Sequence, residues 1–553
     1  MKRAISFTFR PYSPQVESRS SVEERRVDMG IYLNPGNEVY RRVTSAEIYV
    51  DKSMLLGITN RMLNTADNYI CVSRPRRFGK TITGNMISSY YSKGCDSSAI
   101  FDCLKIAGTE GYRDNLNKYN VIQIDVNSEY QNTMDKSLLI SRLTDCIRDE
   151  MRKEFPQIAF EDSDSVANCI QKVYAATGET FIIIMDEYDV LVREQVPQEL
   201  FDQFLSLLNG LFKSNTLRPA ISLAYLTGIL PVVRDKVQSK LNNFREYTIL
   251  NPGKFAEYIG FTSDEVKNLC NAYNVDYEEC RHWYDGYRQN GYEIYNPESV
   301  VRCMEERRFA GYWGQTSTYA VISDMISRNF KGTKDDVIRM MSGENIDVNV
   351  TGFMNTMDSF ASRSDVFTYL IHVGYLAYDN DEGTCRIPNR EVRQEWFNAI
   401  ERSDDYAVTD EIIKSSKELL AKTIKLDEEA VAKALDISHI HVTSNRSYNN
   451  EDALQSAIYL AYIYALNKYT VVKEMTTGKG FADVCFIPYV PDIPAMIIEL
   501  KHNKSADSAI EQIRNRQYFD SLSGYTGNLL FVGINYDETD KTHTCRIEEF
   551  EKW

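Results

Sequence analysis

Tyr69-Ile70-Cys71-Val72-Ser73-Arg74-Pro75-Arg76-Arg77-Phe78-Gly79-Lys80-Thr81 is the stretch that decides the fold. Its first five residues, four apolar ones closed by Ser73, read as a strand buried on both faces. The next eight turn into a helix, and Gly79-Lys80-Thr81 ends that turn as a Walker A loop ends. Holding phosphates at such a junction takes backbone N–H groups at a helix N-terminus, a lysine for the outer phosphates and a hydroxyl for Mg2+. Lys80 and Thr81 suit the last two tasks, and Arg76, Arg77, Phe78 and Gly79 form the loop around them. The loop departs from the glycine-rich pattern. Arg74 stands at the first glycine position, and Pro75 has no N–H to donate.

Outward from this loop, apolar runs at 121–126, 181–185 and 220–226 alternate with helical stretches. That alternation predicts a parallel sheet covered on both faces. The run at 181–185 delivers Asp186-Glu187-Tyr188-Asp189, a Walker B arrangement. Asp186 is expected in the Mg2+ shell, and Glu187 is expected to orient or deprotonate the attacking water. Thr227 ends the fourth strand, where a hydroxyl could touch the γ-phosphate or the water; a threonine that merely closes a strand is the equal alternative. Arg234 could be an arginine finger, but its spacing does not single it out.

A second constellation lies near the C-terminus. Gly480-Phe481-Ala482-Asp483 begins one strand-like run, and Ile497-Ile498-Glu499-Leu500-Lys501 ends the next. Residues two apart on a strand share a face, so Glu499 and Lys501 project together, and a hairpin could bring Asp483 beside them. Two carboxylates can hold Mg2+ or Mn2+, and a lysine can position a water for attack on a phosphodiester. This D…ExK arrangement is the core of the PD-(D/E)XK nuclease pattern. Glu451, one turn before a helical stripe that starts at Leu454, and Gln512, on the helix after the ExK strand, are supporting candidates. Glu474, Arg514, Arg516 and Tyr518 lie close by in sequence. An isolated ExK is otherwise a salt-bridged strand end.

Composition sets the outer limits. With 553 residues the chain exceeds one core, and 43% apolar with 26% charged residues excludes wholesale disorder. A net charge of −16 argues against general coating of nucleic acid, so any such contact is a local site. The 11 cysteines form no CxxC pair, which favours a reducing cytoplasm over a disulfide framework or a zinc cluster. His439 and His441 lack a nearby cysteine and read as structural. No run is long and apolar enough to span a bilayer. Residues 1–28 read as a flexible tail or upstream extension without signal-peptide features. Four segments follow: this tail, a P-loop domain at 29–250, a helical lid or linker at 251–436, and a small α/β domain at 437–553. Thr262-Ser263-Asp264-Glu265 has capping-box spacing at the start of the helical part.

The motifs together resemble a family of bacterial two-part proteins that pairs an AAA-ATPase-like N-terminal domain with a C-terminal PD-(D/E)XK nuclease-superfamily domain. Tyr49-Val50-Asp51-Lys52 resembles its opening motif, and Arg74 to Thr81 its modified Walker A, so the missing glycine is shared. Asp186-Glu187-Tyr188-Asp189 is similar to its Walker B. Further similar segments are Ser239-Lys240-Leu241-Asn242-Asn243, Gly260-Phe261-Thr262, Trp283-Tyr284-Asp285-Gly286-Tyr287, Tyr295-Asn296-Pro297 and Ile387-Pro388-Asn389, then Gly480 to Asp483, Glu499 to Lys501 and Gln512-Ile513. The resemblance implies a P-loop NTPase-type α/β domain, a helical middle and a restriction-endonuclease-like α/β domain. The resulting expectation is an ATPase whose P-loop domain controls a nuclease-like domain. ATP with Mg2+ (Mn2+ at the second site) is the expected cofactor set. Nucleic acid, expected to be DNA, is the partner, and homo-oligomers are a common arrangement of such modules. Defence against foreign DNA or mobile-element biology would fit. The alternative is an ATP-dependent switch whose nuclease-like domain only binds nucleic acid or a protein.

Overall fold

Strands β1 (Tyr69–Ser73), β2 (Asn120–Asp125), β3 (Phe181–Asp186), β4 (Ile221–Gly228) and β5 (Arg245–Tyr247) form one sheet in the order β2-β3-β4-β1-β5. All neighbours are parallel. The structure is a computed structural model and describes residues 30–231, 243–313, 319–328, 330–353, 360–401, 407–442, 458–459, 461–477, 480–490, 492–516 and 527–550. The tail at 1–28, Arg234, residues 239–242, Glu451, Leu454 and Tyr518 lie outside the described residues.

The central strands β1, β3 and β4 are buried at every position, and most of those positions are apolar. Ile70, Val72, Ile182, Ile184, Leu223 and Tyr225 face one core, which contains Met86 and Ile87 of helix Lys80–Tyr91. Tyr69, Cys71, Ile183, Met185, Ala224 and Leu226 face the other. That second face is covered by Leu143 and Ile147 of helix Leu139–Glu154, Ile170 of Val166–Thr177 and Leu208 of Gln198–Phe212. Each fully buried isoleucine contributes roughly 1.5–3 kcal/mol relative to exposure, so the three in a row at 182–184 anchor β3 firmly. β4 inserts between β1 and β3, which sets Thr227 between the P-loop and Asp186.

The middle section is mainly helical, with Ser263–Tyr273, Tyr277–Tyr284, Pro297–Glu306, Thr333–Met341, Arg363–Val373 and Arg390–Glu401 among its helices. The capping box is present: Thr262 caps helix Ser263–Tyr273 and its N–H donates to Glu265 Oε2 at 2.8 Å. Six short strands also occur here. β6 (Phe261–Thr262), β7 (Tyr287–Gln289) and β8 (Tyr292–Tyr295) pair as β6-β8-β7, and β9 (Ile346–Asp347), β10 (Ala377–Asp379) and β11 (Thr384–Arg386) as β10-β11-β9. Tyr287, Ile294, Trp313 and Trp396 belong to the same apolar core as Phe78 and β1, so this section packs continuously onto the P-loop domain.

The C-terminal unit is a five-stranded sheet of β12 (Tyr469–Thr477), β13 (Gly480–Pro488), β14 (Ala495–His502), β15 (Leu529–Asp537) and β16 (Thr542–Phe550), in that order. β14 and β15 are parallel, and helix Ala506–Asn515 makes the crossover; the other pairs are antiparallel. Ile497, Phe531, Ile510 and Ile513 form the core on the helix side. On the opposite side Met496, Ile498 and Val532 pack against Leu419 and Leu420 of helix Ala407–Ile424 and Val431 and Leu435 of Glu428–Val442. Asp436 accepts from the His543 backbone N–H at 2.8 Å and Glu428 from that of Ile547 at 2.9 Å. The core of this unit therefore reaches back across position 437 to include two helices expected in the middle section. No helix among the described residues is long and apolar enough to cross a membrane, and all 11 cysteines are unpaired.

Candidate active sites at two sheet ends

The P-loop is built on two left-handed residues. Arg77 has φ +66° and Gly79, the N-cap of helix Lys80–Tyr91, has φ +87°. No side chain caps that helix, so its first-turn N–H groups have no such partner. Lys80 is buried and its Nζ donates to the carbonyls of Arg74 (3.0 Å) and Pro75 (2.8 Å). Burial lowers its pKa to about 8, and the carboxylates of Asp186, Glu187 and Asp189 oppose that shift. Thr81 and Arg76 are exposed.

Arg74 explains how the loop manages without its first glycine. Its side chain is fully buried, and Nη1 donates to the carbonyls of Ser73 and Tyr247, both at 2.8 Å. The side chain thus ties β1 to β5 and turns away from the loop. Burial lowers the Arg74 pKa to about 10. Phe78 anchors the loop on the middle section, with its ring edge-on to Tyr287 at 5.3 Å and to Trp313 at 6.5 Å. Arg77 Nη1 donates to the Tyr312 carbonyl at 2.7 Å.

Asp186 is buried at the end of β3. It accepts from the Thr227 hydroxyl and, at 3.0 Å, from the Glu187 backbone N–H. Thr227 therefore touches Asp186 directly. Glu187 has φ +48° and its Oε2 accepts from Arg193 Nη2 at 2.9 Å. Asp189 is buried behind them and accepts from Arg193 Nε at 3.1 Å and from the backbone N–H groups of Ile229 (3.1 Å) and Leu230 (2.9 Å). Arg193 was not among the residues singled out from the sequence. Its signal there is the Asp189/Arg193 spacing of four on a helical turn.

At the second site the β13–β14 ladder runs through Val484↔Ile498, Cys485↔Ile497 and Phe486↔Met496. Beyond it, Asp483 Oδ2 accepts from the Leu500 N–H at 2.7 Å, so Asp483 does lie beside the ExK strand. Lys501 Nζ donates to Glu499 Oε1 at 2.9 Å and to the Leu500 carbonyl at 3.0 Å. Gln512, from helix Ala506–Asn515, donates to the same Glu499 oxygen. Glu499 is buried; burial first, then the nearby Asp483 charge, raises its pKa to about 7, against the pull of Lys501. Its Oε2 is buried with no hydrogen-bond partner among the described residues.

That orphaned oxygen beside a second carboxylate fits a hard cation, which would relieve both the repulsion and the missing bond. Among the described residues no group of three or more His, Cys, Asp or Glu side chains is arranged to hold a metal. Of the described residues, Asp483 and Glu499 would hold such an ion, with water and phosphate oxygens able to fill further positions, as Mg2+ commonly allows. Glu474 is on β12, but its side chain lies outside the described set, as do those of His439 and His441.

The segments between the two sites prove to be seam residues. Gly260, at φ +103°, leaves room for Phe78: a Cβ there would stand 3.2 Å from the Phe78 ring and 2.4 Å from Ile294. Gly286, at φ +122°, packs on the Pro388 carbonyl, and Asn389 Nδ2 donates to the Asp285 carbonyl at 2.8 Å. Asn296 caps helix Pro297–Glu306, and Lys52 Nζ reaches Glu265 Oε2 at 2.5 Å.

A family profile described as "Predicted AAA-ATPase" matches residues 38–238, and one described as "PD-(D/E)XK nuclease superfamily" matches 449–545. The uncharacterized protein in the vnfD 5′ region of Azotobacter chroococcum mcd 1 is 23% identical over 296 residues, 50% of this chain and 52% of that one. The chain thus spans about half the length of this curated relative. Overlaps with solved structures are loose. The Aeropyrum pernix ORC1 protein in complex with DNA has a TM-score of 0.24 at 9% identity, covering 89% of this chain and 99% of that chain. The A. pernix ORC2 protein in ADPNP–ADP complexes has 0.28 at 11%, covering 65% and 98%. The chain joins a domain of the AAA-ATPase-like family to a domain of the PD-(D/E)XK nuclease superfamily.

Proposed function

We propose that this protein binds and hydrolyses ATP at the P-loop and thereby controls cleavage of nucleic acid, DNA in the first instance, at the C-terminal site. The observation that carries the reading is that each site gathers, at one end of a sheet, a buried lysine with one buried and one partly buried carboxylate: Lys80 with Asp186 and Glu187, and Lys501 with Glu499 and Asp483. Lys80 and the loop N–H groups hold phosphates, with Arg76 and Arg77 adding charge. Thr81 and Asp186 would hold Mg2+, Thr227 fixes Asp186, and Glu187 takes a proton from water. Asp483 and Glu499 would hold Mg2+ or Mn2+, Gln512 steadies Glu499, and Lys501 orients water. A bound divalent ion supplies Lewis-acid polarisation of the phosphodiester.

Coupling between the sites is supported by a chain of contacts through helix Arg390–Glu401. Glu391 accepts from the Tyr312 and Trp313 N–H groups at 2.6 and 2.8 Å, next to Arg77 and Phe78 of the P-loop. Its neighbour Arg390 faces the other way. Arg390 pairs with Glu279 at 2.6 Å, bonds Thr470 of β12, and lies 3.6 Å over the ring of Tyr489, which follows the strand that carries Asp483.

Nucleotide binding and cleavage test the two halves separately. Lys80→Ala should abolish ATP binding measured by calorimetry. Asp483→Ala and Lys501→Ala should each abolish cleavage of plasmid and single-stranded DNA in Mg2+ or Mn2+. Cleavage that survives both of the latter substitutions refutes the nuclease assignment. Its absence from the parent protein under every nucleotide condition leaves a binding module.

A further inference from the structure

The Walker B turn carries more machinery than its two named carboxylates. Glu187 sits in a left-handed backbone conformation, φ +48°, which a residue with a side chain adopts only when its surroundings impose it. The Tyr188 N–H fixes the turn to the Thr227 carbonyl at 3.0 Å. The Glu187 carboxylate is then met by Arg193, from the short helix Val190–Arg193, through Nη2 at 2.9 Å. The same guanidinium places Nε 3.1 Å from Asp189 Oδ2.

Asp189 is the fixed end of this arrangement. It is 0% exposed, and the oxygen that takes Arg193 also takes the backbone N–H groups of Ile229 and Leu230 beyond β4. Gly228 makes the approach possible: a Cβ at that position would stand 2.7 Å from Asp189 Oδ1 and 2.8 Å from the Tyr188 ring. The pair Thr227-Gly228 thus does two jobs. Thr227 bonds Asp186, and Gly228 admits Asp189.

A brace between β3 and β4 would need only the Asp189 half. The Arg193 side chain is 8% exposed, whereas that of Glu187 is 29% exposed. A partly exposed ion pair adds little to stability. Its consequence is orientation, because a planar fork held at one end restricts the carboxylate at the other.

We propose that Arg193 is a positioning residue that fixes the Glu187 carboxylate for its work on water, with Asp189 as its anchor. This rests on the reading of Glu187 as the water-activating group. It predicts that Arg193 acts on turnover through Glu187 and leaves nucleotide binding alone.

The test measures ATP turnover, ATP affinity and thermal stability in the full chain. It compares the parent with Glu187→Gln, Arg193→Gln, Arg193→Lys and the Glu187→Gln/Arg193→Gln double variant. Arg193→Gln should lower kcat roughly 10- to 100-fold, the scale of a misplaced catalytic group. Its ATP Kd should stay within about twofold, because the lost contact does not touch the phosphate loop. Arg193→Lys keeps the charge without the fork and should fall between parent and Arg193→Gln. The double variant should be no slower than Glu187→Gln alone, since both changes remove one unit. Undiminished kcat in Arg193→Gln overturns the proposal, as does a double variant well below Glu187→Gln. Loss of kcat, affinity and stability together in Arg193→Lys as well as Arg193→Gln would make Arg193 a structural brace and overturn it too. Parent-like turnover in Glu187→Gln would instead overturn the underlying reading of Glu187, and the proposal with it.

Discussion

Glu391 places a carboxylate inside the protein at 1% exposure, bonded to Ser299 and to two backbone N–H groups but with no salt bridge among the described residues. Burial raises its pKa to about 7 from 4.5, although those bonds favour the charged form. The folded protein therefore holds this proton more tightly than the unfolded chain. The associated stability is fully present below about pH 4.5 and is lost as pH rises through about 7. The loss is of order 3 kcal/mol. Glu391→Gln keeps an acceptor for the N–H groups and offers Ser299 a donor. Urea unfolding at pH 5 and pH 8 should show a smaller stability difference for Glu391→Gln than for the parent, and an equal difference would contradict the assignment. At this scale chemistry and spacing mark Lys80, Asp186, Glu499 and Lys501 as candidates, and the structure brings Lys501 onto Glu499. Arg193 and Glu391 were not readable. Arg193 is one of many arginines until Asp189 and Glu187 are seen around it. Glu391 lies in a helix whose exposure the sequence does not reveal.

At the scale of elements, Gly260 shows how the loop and the middle section depend on one another. Its φ of +103° is strained for any side chain, and the added Cβ would press on both Ile294 and Phe78. Gly260→Ala should lower stability by roughly 1–3 kcal/mol. It should also weaken ATP binding, because Phe78 adjoins Gly79 and Lys80. Denaturant midpoints and ATP affinity measured on the same preparation check both, and a destabilised protein with parent-like affinity would separate the loop from the seam. Strands β1, β3 and β4 were legible because two covered faces demand unbroken apolar runs. β5 and β16 were not. β5 has three residues led by an exposed arginine, and β16 is an edge strand whose buried positions are only His543 and Ile547, set among Thr, Arg and Glu. The short strands β6 to β11 escaped for the same reason, since two to four residues carry no readable period.

Over the whole molecule, the domain types were legible and their junctions were not. The insertion of β4 between β1 and β3 and the packing of helices Ala407–Ile424 and Glu428–Val442 on the C-terminal sheet are long-range choices that local pattern does not encode. The same holds for the Arg390–Tyr489 stack, with the guanidinium 3.6 Å from the ring centre, in the seam between the middle section and the C-terminal unit. Arg390→Ala should leave ATP turnover within about twofold, since it touches no P-loop residue, while reducing the effect of ATP on cleavage. Matched ATPase and cleavage assays decide this, and an unchanged ATP effect would exclude the helix Arg390–Glu401 route. Nucleotide control of cleavage is tested most directly by the rate of plasmid cleavage in Mn2+ by the full chain, measured with ATP, with ADP and without nucleotide, in the parent and in Lys80→Ala. It predicts rates that differ roughly fivefold or more between nucleotide states in the parent and a single rate in Lys80→Ala. Equal cleavage by the parent in all three states would contradict it.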